Sequence, residues 1–112
     1  MIDIVAMDGM NINEYGKNLE TVTSQVPCAA LFEQLAEESA ELAHAALKLA
    51  RAVRGENPTP VTKYDAMADI LEELSDVALV CEALDLEADR QGMKKKLQRW
   101  VKRLQQKGGE DV

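Results

Sequence analysis

One hundred and twelve residues, 46% hydrophobic and 29% charged, make one domain of ordinary globular composition. Three prolines, six glycines and four aromatic residues argue against a sandwich or barrel. A formal net charge of −7 disfavours a general surface for polymeric nucleic acid, whose phosphates require clustered cations, and no stretch approaches the roughly 18 apolar residues needed to cross a bilayer. Residues 1–10 have no clear form. They carry Asp3 and Asp8 and lack a basic segment followed by an apolar run, so no secretory signal is expected and the cytoplasm is the expected compartment. Ile12, Tyr15, Leu19 and Val22, spaced three, four and three, predict a short amphipathic helix over 11–24. Pro27 suits the first turn of a long second helix, which runs through Leu31, Leu35, Leu42, Leu49 and Val53 until Gly55 offers a left-handed stop. The prolines of Asn57-Pro58-Thr59-Pro60 make residues 56–60 a reversing loop.

Thr62 with Asp65 three residues later resembles a capping box, and Met67, Ile70, Leu71, Leu74, Val77, Cys81 and their neighbours supply the broad apolar face of a third helix. Asp85 is placed to cap a fourth, in which Leu86, Met93, Leu97, Trp100 and Leu104 share a face before a polar tail frays from Gln105. The expected architecture is all-α, a four-helix bundle in one domain over 1–112: an arm and short helix to residue 26, a core over 27–104 and the tail over 105–112. A chain this short buries only about two thirds of its unfolded surface, and the third helix is apolar over more of its circumference than one partner covers. A homodimer or homotetramer is therefore expected. Cys28 and Cys81 lack any metal or redox spacing and read as reduced core residues.

Two acidic clusters interrupt this pattern. At about 100° per residue Glu38 falls within the stripe of Leu31, Leu35, Leu42 and Leu49, and Glu41 follows on the next turn. Glu73 lies among the directions of Ile70, Val77 and Val80, with Asp76 one turn on. An ionised carboxylate on a buried face must be protonated, paired or bound to a metal. If the second and third helices pack antiparallel, Glu38, Glu41, Glu73 and Asp76 converge. Their mutual repulsion then favours a divalent cation, and an all-oxygen set suits Mg²⁺, with Mn²⁺ as a substitute, better than Zn²⁺.

Glu37-Glu38-Ser39-Ala40-Glu41-Leu42 followed by Glu72-Glu73-Leu74-Ser75-Asp76-Val77 resembles the EExxE and ExxD signature of the MazG-like all-α nucleoside triphosphate pyrophosphohydrolases, which include the dCTP pyrophosphatases and small phage-associated members. The resemblance covers about residues 28–104 and extends to the Asn-Pro-Thr-Pro loop. It implies a Mg²⁺-dependent enzyme that converts a nucleoside triphosphate to its monophosphate and pyrophosphate in nucleotide-pool house-cleaning. Glu38, Glu41, Glu73 and Asp76 take its metal-ligand positions, with Glu38 and Glu41 as the first catalytic candidates. The chain departs from the pattern on the last helix. Many members carry a Lys followed by an Asn there, whereas this chain has Lys96-Leu97-Gln98-Arg99-Trp100.

Lys96, Arg99 and Arg103 form a basic stripe suited either to a triphosphate or to a solvated helix end, and Lys48 and Arg51 are further phosphate candidates. Trp100 and Tyr15 are candidates for stacking on a base, although Trp100 also reads as a core or interface anchor. His44 follows Glu41 in the ExxH spacing of di-iron bundles, but the second acidic pair is ExxD, so a structural histidine is the simpler reading. Two alternatives remain: a phosphoribosyl-ATP pyrophosphatase-like enzyme, and a non-catalytic helical module for oligomerisation or partner binding.

Overall fold

The computed structural model describes residues 11–56 and 62–110, with backbone alone for 109 and 110, and these residues hold four α-helices and no strand. The first, α1 (Ile12–Gln25), starts where the Asn11 side chain accepts the Glu14 amide at 2.9 Å. Next, α2 (Cys28–Arg54) spans about 40 Å at 1.5 Å per residue. Pro27 sits one position before its first turn, in extended conformation, so proline initiates the helix from its cap. At the other end Gly55 takes φ 72°. Its amide donates to Ala52 and that of Glu56 to Arg51, the paired bonds of a Schellman stop. The reversing loop predicted from the prolines falls on residues 57–61, outside those described.

The third helix, α3 (Lys63–Ala83), is capped as the sequence predicts: Thr62 Oγ1 accepts the Asp65 amide at 3.1 Å. The start of α4 (Arg90–Glu110) differs from expectation. Asp85 does not cap it. It adopts φ 55° and closes a second Schellman stop, its amide donating to Glu82 and that of Leu86 to Cys81. Asp89 is the cap instead, its Oδ1 accepting the Gln91 amide at 3.1 Å. A Cβ built at Gly92 would stand 2.8 Å from Asp89 Oδ2, so the glycine gives this cap its room. The helix continues to Glu110, through most of the segment expected to fray.

Helices α2 and α3 form the centre of the molecule. Lys48 meets Asp69, while Glu38 meets Glu73 and Asp76; position falls along one helix as it rises along the other, so the pair is antiparallel. That register sets Ala45 near Ala66 and Leu31 near Val80, the four buried hydrophobic residues among those described. Two of the four are alanines, so the core is thin. Helix α1 leans on α3, with the Tyr15 hydroxyl donating to Glu82.

The closed four-helix bundle expected from the sequence is not completed within one chain, because α4 forms no packed layer with the other helices. The radius of gyration is 18.7 Å, against about 13 Å for a compact domain of this length. Trp100 is 62% exposed and anchors no core in the protomer, and Cys28 is exposed rather than internal. Both sit on apolar helix faces for which one chain supplies no cover. Among the described residues, no helix is long and apolar enough to cross a membrane.

Candidate functional site

The α2/α3 register brings three of the four predicted acids to one place. A carboxylate oxygen from each of Glu38, Glu73 and Asp76 lies within 4.8 Å of the other two. Glu38 and Glu73 are half-buried, because each occupies a position on the face its helix turns to the other. Glu41, one turn beyond Glu38, is exposed and stands outside this trio. Its charge nevertheless reaches Glu73. Burial, then the charges of Asp76, Glu41, Glu38 and Glu72, hold the Glu73 carboxyl above its ordinary value of 4.5. The four predicted acids therefore share one electrostatic environment with Glu73 at its centre.

Gln34, one turn before Glu38, donates to Glu38 Oε1 at 2.6 Å and fixes that carboxylate. The sequence reading passed over Gln34; its i, i+4 spacing to Glu38 was the available signal. Asp69 was also missed. It lies four residues before Glu73 on the same helix and pairs with Lys48 at 4.0 Å.

Beside the cluster is an open cleft of about 510 Å³ whose walls include Glu41, Glu73, Lys48, Arg51 and His44. Lys48 and Arg51, both proposed for phosphate from the sequence, thus stand with the acids. A second cleft of about 500 Å³ runs between α1 and the α2/α3 pair, largely apolar, with Tyr15, Leu19, Val22, Leu31 and Leu79 in its walls. Gln34 lines it too, so the residue that holds Glu38 joins the apolar cleft to the acids. The Tyr15 hydroxyl is engaged by Glu82, whose hydrogen bond, with burial and charge behind it, raises the phenol above 10.0. Lys96, Arg99, Arg103 and Trp100 lie exposed on α4, which does not pack on the α2/α3 pair that carries the acids.

The donor set fits a hard divalent cation. Two oxygens of one Mg²⁺ are at most about 4.2 Å apart, twice the bond length, so small side-chain rotations bring the trio within reach. No protein-family model, curated protein or solved structure matches the chain.

Proposed function

We propose that the protein is a Mg²⁺-dependent nucleoside triphosphate pyrophosphohydrolase, acting as a homo-oligomer on the cytoplasmic nucleotide pool. The observation that carries this reading is the meeting of Glu38, Glu73 and Asp76 across the α2/α3 seam. An anionic cluster on a helix interface costs stability unless a cation neutralises it, and here it borders both an apolar cleft and one of mixed charge that holds Lys48 and Arg51 among its acids. The two clefts divide a nucleotide by its chemistry. A base and sugar suit the apolar cleft beside Tyr15, within the range of volumes that small-molecule sites take. The phosphates suit the side of Lys48 and Arg51.

In this proposal Glu38, Glu73 and Asp76 hold the ion, with Glu41 at the rim. A bound Mg²⁺ would supply charge neutralisation of the phosphate oxygens. Gln34 keeps Glu38 in its rotamer. Glu41, outside the trio, accepts the proton of the attacking water; the new bond joins water oxygen to the α-phosphorus, the bond to the bridging oxygen breaks, and pyrophosphate leaves.

A second reading, a non-catalytic association module, draws on the exposed apolar residues of α3 and α4. A phosphoribosyl-ATP substrate keeps the same chemistry. One assay separates all three: pyrophosphate release from canonical and damaged nucleotides and from phosphoribosyl-ATP, with Mg²⁺ or Mn²⁺. Release above background for one nucleoside triphosphate is expected. Background rates throughout, with no Mg²⁺ binding by calorimetry, sink the enzyme reading.

A further inference from the structure

The strongest unexplained feature outside the acid site is α4. Residues 90–110 carry eight lysines and arginines and one acid, whereas residues 1–89 carry five and eighteen. The chain thus has a basic rod of net +7 and an acidic body of net −13. Along the rod, Met93, Leu97, Trp100 and Leu104, spaced four, three and four, make an exposed apolar seam about 17 Å long. On the body, Tyr64, Met67, Leu71 and Leu74 of α3, spaced three, four and three, make another about 15 Å long, turned away from the face that packs on α2. The seams are similar in length, and both alternate steps of three and four residues. In one chain neither is covered.

We infer that the α4 seam of one copy packs on the α3 seam of a second copy, and the reverse, closing a two-fold dimer by exchange of α4. Charge selects this pairing from three. Two α4 helices meet as +7 against +7 and two bodies as −13 against −13; only α4 on a body brings opposite signs together. Reciprocal exchange also covers both seams in a closed assembly, leaving no open edge to propagate. It carries the cations Lys96 and Arg103, which flank the α4 seam, to the acidic body of the other copy. The inference rests on the proposed self-association and is independent of the hydrolase reading.

Sedimentation velocity on the full chain and two variants tests it. Leu71→Asp breaks the body seam and Leu97→Asp the arm seam; both side chains are exposed in the protomer, at 57% and 60%, so helicity should persist. The wild type is expected to dimerise, and each variant alone to weaken association at least about thirtyfold, the loss of one central anchor. Mixing the two variants restores one intact contact, the arm of Leu71→Asp on the body of Leu97→Asp, so heterodimers form where neither variant self-associates. If circular dichroism shows helix loss, Leu71→Gln and Leu97→Gln carry the same comparison. A monomeric wild type, including one that sediments instead with phosphatidylserine vesicles, overturns both the exchange and the proposed self-association. A wild-type oligomer that survives either single variant, or variants whose mixture fails to associate, overturns the exchange alone.

Discussion

Glu73 shows what one side chain's surroundings decide. Its folded-state carboxyl titrates above 4.5 because burial and four neighbouring acids disfavour its charge. The folded form therefore holds its proton more tightly than the unfolded chain, so the contribution to stability is full below 4.5 and is lost as pH rises through the elevated value. Without divalent cations, the melting temperature of the wild type should fall relative to that of Glu73→Gln as pH rises from 4 to 7. A constant difference between the two would remove Glu73 from the cluster. Added Mg²⁺ at neutral pH should raise the wild-type melting temperature more than that of the variant. Glu38→Gln and Asp76→Asn probe the same trio by activity. Each should cut pyrophosphate release more than about a hundredfold, beyond what loss of a ligand's outer partner costs, with an unchanged circular dichroism spectrum. Near-normal turnover in either would count heavily against the site. Glu38 and Glu73 were legible as acids intruding on apolar stripes, and Asp76 as an acid one turn on, because helical periodicity alone reports which face a residue shares. The role of Gln34 was not, since an amide four residues from a glutamate acquires meaning only when the glutamate's rotamer is known.

At the scale of elements, boundaries followed local chemistry wherever one residue dominated it. Thr62 and Gly55 each act where the sequence places them, through a side-chain oxygen or a left-handed backbone, whereas Asn11, inside the helix expected over 11–24, caps it instead. Gly55→Ala should lose roughly 1–2 kcal/mol in urea denaturation, entirely from backbone strain, because the space around the site is open. A change under about 0.3 kcal/mol would show that the turn rearranges freely, given that the left-handed region carries the penalty. The fourth helix shows where such reading stops. Asp85, Glu87 and Asp89 precede it, and aspartate serves equally as a helix cap and as a left-handed residue. The choice fell to the Schellman stop that ends α3, which takes Asp85 and leaves Asp89 to start α4.

The whole molecule is governed by its division into an acidic body and a basic rod. Four buried hydrophobic residues, two of them alanines, make a small core among the described residues. Self-association through oppositely charged surfaces should weaken with ionic strength: the Debye length falls from about 10 Å at 0.1 M salt to about 3 Å at 1 M. Raising NaCl from 0.05 to 0.5 M should increase the dissociation constant of the oligomer. An affinity that holds or tightens with salt would mean that apolar contact alone joins the copies.

Composition and periodicity by themselves determined an all-helical chain and the intrusion of Glu38 and Glu73 upon apolar helix faces, with Glu41 and Asp76 one turn on, since these follow from spacing at 3.6 residues per turn. Tertiary structure decided the rest. The antiparallel register chose Glu38, Glu73 and Asp76 as the close trio and set Glu41 at its edge, a difference of one helical turn that spacing along a single helix cannot resolve. It also kept α4 and its cations off the acids of their own chain, because the direction in which a rod leaves a short turn is fixed by that turn's backbone and not by the rod's own pattern.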